Sequence, residues 1–101
     1  MITTNRRRGK FHQKKVAEEL NGMDMGILGG EDVITNEFSI ECKSVMKFVG
    51  EKWYAQCVKN NKRKKIPIVV IHIKNKSYDN DFVLIRLADF KNIVEEKKNE
   101  N

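Results

Sequence analysis

Proline occurs once in this chain, tryptophan once and cysteine only twice among 101 residues. Two thiols cannot staple a small secreted scaffold, so a disulfide framework is excluded, and no CxxC or His-Cys spacing supports zinc. Cys42 and Cys57 stand among apolar neighbours in a periodic pattern and read as small core residues. Long apolar runs are missing as well. The longest, Ile66 to Ile73, is far short of the ~20 residues that span a bilayer. The opening Met1-Ile2-Thr3-Thr4-Asn5-Arg6 lacks the apolar stretch of a signal peptide. A cytoplasmic protein without a membrane partner is therefore expected. There are no internal repeats and no linker, so a single domain over residues 1–101 is expected.

What the chain does have is charge. Charged residues make up 34%, with 20 Lys and Arg against 14 acids, a net charge of +6 and a pI near 9.4. A basic balance of this size points first to nucleic acid, then to anionic membrane surfaces, with simple solubility as the plain alternative. The cations are grouped. Arg6, Arg7, Arg8 and Lys10 precede or open the first helical pattern, and Lys62, Arg63, Lys64 and Lys65 form a second block. Such residues hold phosphates without reading sequence. Taken singly, each is equally well a solvated charge at the end of an element.

Periodicity supplies the elements. Residues 1–8 look like a loose basic arm, and Gly9 to Asn21 turns helical, with Asn21-Gly22 as its stop. At about 100° per residue, Gln13, Val16, Ala17 and Leu20 share one sector, while Glu18 and Glu19 point away. Met23 to Glu31 holds three glycines and reads as a loop with a short strand near Met25 to Leu28. Asp32 to Thr35 is a strand, Asn36-Glu37 a tight turn, and Phe38 to Val45 an alternating strand. Phe38, Ile40 and Cys42 face one side of it; Ser39, Glu41 and Lys43 face the other.

Gly50 to Lys62 is a second helix, whose Trp53, Tyr54, Cys57 and Val58 make a stripe suited to packing on a sheet. Ile68 to Ile73, apolar on both faces and rich in β-branching, fits an interior strand. A turn over Lys74 to Asp81, a strand from Phe82 to Leu87, a helix from Ala88 to Glu96 and a frayed tail, Lys97 to Asn101, complete the chain. The sum is an α/β fold: a small mixed β-sheet flanked by helices.

Chemistry concentrates on the hairpin. Glu41 and Lys43, two apart on one strand, lie about 6.6 Å from each other, and the turn brings Asp32 alongside. Two carboxylates and an ammonium at a sheet edge suit a hard divalent cation such as Mg²⁺. Such an ion polarises a phosphate and acidifies a bound water, and Lys43 is placed to orient that water or stabilise developing charge. The plain alternative is a wet strand face, on which E-x-K arises by chance. His72 reads as a satisfied core histidine. Trp53 and Tyr54 read as core anchors rather than base-stacking platforms, and nothing fixes a role for His12.

The joint pattern Gly29-Gly30-Glu31-Asp32-Val33, then Ile40-Glu41-Cys42-Lys43-Ser44, resembles the core of the PD-(D/E)XK nuclease superfamily. The likeness is closest to small archaeal-type Holliday junction resolvases and related phage proteins, and it covers most of the chain. It implies Asp32 and Glu41 as metal ligands for Mg²⁺ or Mn²⁺, with the backbone carbonyl of Cys42 completing the shell, and Lys43 as the catalytic base partner. It also implies Gln56 as the glutamine of the following helix. Family members carry a glutamate on the first helix where this chain has Gln13. An amide oxygen can ligate or hold a metal-bound water, but it brings no charge. The implied activity is DNA hydrolysis by a homodimer; the alternative is a DNA-binding relative with the same fold and weak or no catalysis.

Overall fold

A computed structural model describes residues 4–26 and 30–99, with the backbone alone for residues 4–6. The protein is small and mixed α/β; among the described residues it has three α-helices, one 3-10 turn (Tyr78–Asn80) and two antiparallel sheets. It divides into two compact units, Met1–Met46 and Lys47–Asn101.

In the first unit, helix α1 spans Thr4–Glu19. Arg7 and Arg8 thus lie on helical turns rather than in a loose arm. Arginine is a good helix former and no proline interrupts the run, so the helix extends back past Gly9. It ends where expected, with Asn21 in the left-handed conformation (φ 54°). The Gly22 N–H bonds the Ala17 carbonyl at 2.8 Å and the Asn21 N–H bonds that of Glu18 at 3.4 Å, a Schellman closure. Gly22 is needed for a different reason. A Cβ there would stand 2.8 Å from a Val33 methyl and 2.9 Å from the Ile34 carbonyl.

Strands β1 (Met23–Asp24), β2 (Val33–Ile34) and β3 (Ser39–Ile40) form an antiparallel sheet in the order β1-β2-β3. The first strand precedes the expected Met25–Leu28 segment, of which Ile27 and Leu28 lie outside the described residues. Register pairs Asp24 with Val33 and Val33 with Ile40. Thr35 closes the Asn36-Glu37 turn. Its N–H bonds the Phe38 carbonyl at 2.9 Å, and its Oγ1 accepts the Phe38 N–H at 2.9 Å. Val16, Ala17 and fully buried Val33 form the core, with Leu20, Ile40 and Cys42 packed around them. Burying each valine contributes about 1.5–3 kcal/mol.

In the second unit, helix α2 spans Gly50–Asn60, strands β4 (Val69–Ile71) and β5 (Phe82–Leu84) pair antiparallel, and helix α3 spans Leu87–Asn99. Two expectations are corrected here. The 68–73 segment is one strand of a two-stranded sheet, not an interior strand, and Val70 is 56% exposed. Of the α2 stripe, Tyr54 and Cys57 are half-buried, whereas Trp53 and Val58 are exposed, because a two-stranded sheet is too narrow to cover all four. Helix α3 continues through Asn99 where a frayed tail was expected; Glu100 and Asn101 lie outside the described residues. Lys97 and Lys98 in its last turn suit the negative end of the helix dipole.

Candidate functional site

β3 pairs only through Ile40, so Glu41 and Lys43 lie beyond the regular ladder rather than on a paired strand. The alternation nonetheless continues. Cys42 is half-buried, and Glu41 and Lys43 are exposed. The reason is a side chain standing in for a strand. The Asp32 N–H bonds the Ile40 carbonyl at 3.1 Å, and Asp32 Oδ2 then accepts the Cys42 N–H at 2.8 Å. A backbone carbonyl would ordinarily take that N–H; here a carboxylate does, which pins Asp32 to the Glu41–Cys42 peptide. A hydrogen bond to a charged group is worth about 1.5–3 kcal/mol.

Gln13 reaches the same place from α1. Its Nε2 donates to Asp24 Oδ1 at 2.7 Å and to the Asp32 carbonyl at 3.0 Å, and Asp24 Oδ1 also accepts the Gly26 N–H at 2.9 Å. Asp24 was not among the residues singled out from sequence. The signal available was a lone carboxylate between Met23 and Met25, in a segment whose strand was placed a few residues too late. Burial, and then the charges of Asp32, Glu41 and Asp24, push the Cys42 thiol above its ordinary value. Burial and the nearby negative charge act in the same direction, so this thiol gives up its proton less readily than an ordinary one.

Lys43 Nζ lies 3.5 Å from Glu41 Oε1, and both side chains are mostly exposed, so the pair adds little stability and either head can turn to a ligand. The oxygen donors of Asp24, Asp32, Glu41 and Gln13 suit a hard cation by chemistry. Asp32 Oδ2 is committed to the Cys42 N–H. Among the described residues, no three His, Cys, Asp or Glu side chains stand together as a ready metal cage.

Gln56 belongs to the other unit, on the exposed side of α2, where its Nε2 donates to Asn60 Oδ1 at 3.4 Å. The second basic block is built rather than loose. Asn61 Nδ2 donates to the Lys65 carbonyl at 2.6 Å, Asn61 Oδ1 accepts the Lys65 N–H at 3.0 Å, and Lys64 takes a left-handed φ of 53°. Lys62, Arg63, Lys64 and Lys65 are all exposed around that clasp. On α1, Arg7, Arg8 and Lys10 are exposed, while the Arg6 side chain lies outside the described residues.

No family model, curated protein or solved structure matches the chain. Among the described residues, no helix is long and apolar enough to cross a membrane.

His72 is satisfied but is not a core residue. Its Nδ1 lies 2.6 Å from Asp81 Oδ1 across the β4–β5 pair, and the Tyr78 ring stacks on it at 4.3 Å. His12 Nδ1 and the Tyr54 hydroxyl are buried without a hydrogen-bond partner among the described residues.

Proposed function

We propose that this protein is a metal-dependent deoxyribonuclease of the PD-(D/E)XK type. It hydrolyses phosphodiester bonds in DNA with Mg²⁺ or Mn²⁺, acts on branched DNA such as Holliday junctions, and works as a homodimer in the cytoplasm. The observation that carries the reading is the bond from Cys42 N–H to Asp32 Oδ2 at 2.8 Å. It fixes one carboxylate of the motif against the Glu41–Cys42 peptide, beside the other carboxylate and one residue before the lysine.

In this reading Asp32 and Glu41, with the Cys42 carbonyl, hold the ion, which when bound polarises the phosphate and acidifies a water. Lys43, already at Glu41, orients the attacking water or steadies charge on the phosphate. Gln13 fixes the Asp32 peptide and steers Asp24 toward the same edge. Gln56 enters on the resemblance alone. The basic residues of α1 and of the 62–65 loop take up DNA phosphates. The test is incubation with four-way, flapped and linear DNA in Mg²⁺ or EDTA, beside Asp32→Asn. Cleavage in Mg²⁺ that is lost in both controls is expected, and cleavage that survives both would end the proposal.

A second reading has its own support. Gln13 is committed as a donor to a carboxylate, a role that an ionised family glutamate could not fill, and this favours a DNA-binding protein on the nuclease fold as the alternative. Binding without cutting in Mn²⁺ would favour it.

A further inference from the structure

The outward face of α1 combines positive charge with one bare aromatic ring. At 3.6 residues per turn, Arg7, Lys10, Phe11 and Lys14 fall within an arc of about 100°, with Lys15 beside Phe11. All five are exposed, and Phe11 is 68% accessible. Among the described residues only Lys15 of these cations is ion-paired, loosely, to Glu18 at 3.9 Å. The helix carries no acid in its first turn, so Arg7 there stands at the positive end of the dipole without an acidic neighbour on that turn, an arrangement that an incoming anion would relieve.

A basic helix with an apolar residue on its exposed face could in principle lie on a membrane. In this chain the apolar sector of α1 is occupied: Val16 and Ala17 are buried in the core, with Leu20 packed against it. That leaves a single ring among cations, too little to anchor a helix in lipid. Phosphates can meet the cations, and the bare ring between them offers a face on which a flat base can stack. A duplex keeps its bases stacked inside; a single strand presents them.

We infer that the outer face of α1 binds single-stranded DNA, with an unstacked base lying on Phe11 and the flanking phosphates on Arg7, Lys10 and Lys14. The choice of DNA rests on the function proposed above. The face itself is separate by helical angle from the Gln13 side that meets the Asp32 edge, and within branched DNA it narrows the substrate class to forms with an unpaired stretch, such as flaps.

The test reads binding rather than cutting, so its failure is distinct from a failure of the nuclease reading. Fluorescence anisotropy of a labelled oligo(dT) of about 15 nucleotides, and of a blunt duplex, is followed with the full chain in EDTA. Phe11→Ala is expected to weaken oligo(dT) binding about 5- to 150-fold, to leave duplex binding within about twofold, and to be rescued by Phe11→Trp. Lys14→Gln is expected to weaken both, lowering the salt slope on the single strand by about 0.7. Circular dichroism checks that each variant folds, and should Phe11→Ala unfold, Phe11→Leu against Phe11→Trp carries the comparison. Equal oligo(dT) affinity for Phe11→Ala and wild type would overturn the inference. So would equal losses on both DNAs, or Phe11-dependent capture by phosphatidylglycerol vesicles without oligo(dT) binding.

Discussion

On the proposed PD-(D/E)XK reading, Gln13→Glu installs the residue that the family usually carries on its first helix, and the cost of the change can be worked from the structure. The wild-type amide donates to Asp24 Oδ1 at 2.7 Å and to the Asp32 carbonyl at 3.0 Å. A carboxylate can donate neither bond. The bond to a charged acceptor is worth about 1.5–3 kcal/mol and the neutral one about 1 kcal/mol. Two carboxylates some 3–4 Å apart repel by about 1 kcal/mol in a water-like surround. Asp24 is exposed and can swing away, which discounts the sum, so about 3 kcal/mol is expected in EDTA. For a domain of this size that is on the order of 10–20 °C in melting midpoint.

The same substitution adds a charged oxygen donor beside Asp24 and Asp32. If the edge takes a divalent ion, Mg²⁺ should return much of the loss, about 2.7 kcal/mol at a hundred times the dissociation constant, and should do so more for the variant than for wild type. Thermal melts of both proteins with EDTA and with millimolar Mg²⁺ are the assay. A variant as stable as wild type in EDTA would refute the assigned role of the Gln13 amide. A destabilised variant that Mg²⁺ leaves unmoved would refute the metal half of the reasoning.

Two further outcomes are expected. Asp32→Ala should cost more stability than Asp32→Asn by about 1 kcal/mol, because asparagine keeps an acceptor for the Cys42 N–H, and Cys42 amide exchange should accelerate in the alanine variant alone; equal effects would remove that bond. In a Cys57→Ser background, Cys42 alkylation should reach half-maximal rate at a pH above that of an ordinary thiol, since a raised pKa leaves less thiolate at any given pH, and Asp32→Asn should lower that midpoint. A midpoint unmoved by the aspartate would contradict the electrostatic arrangement.

The parts of the fold that could be read in the sequence were those governed by local rules. The inward sector of Gln13, Val16, Ala17 and Leu20 followed from helical angle, the 36–37 turn from its residues, and the 38–43 alternation from the pleat. What escaped was set by partners distant along the chain. Nothing local says that β3 stops pairing at Ile40, because Asp32, not a strand, takes the next N–H. Asp24 became visible only through the register that sets it opposite Val33 and within reach of Gln13. The composition of the 68–73 run suits burial on both sides, yet composition cannot count strands, and this sheet has two. The beginning of α1 was misplaced for the reverse reason: Gly9 looked like a boundary, but one glycine costs a helix only about 1 kcal/mol.

The side chain of Asn61, closed on both the N–H and the carbonyl of Lys65, holds the 62–65 loop in shape before any partner arrives. A cationic loop that is already ordered loses little backbone freedom when it meets a polyanion, so its association should be quick and carry a small entropic penalty. Such a surface gives grip without waiting for the ligand to mould it, and it would treat every stretch of phosphate backbone alike.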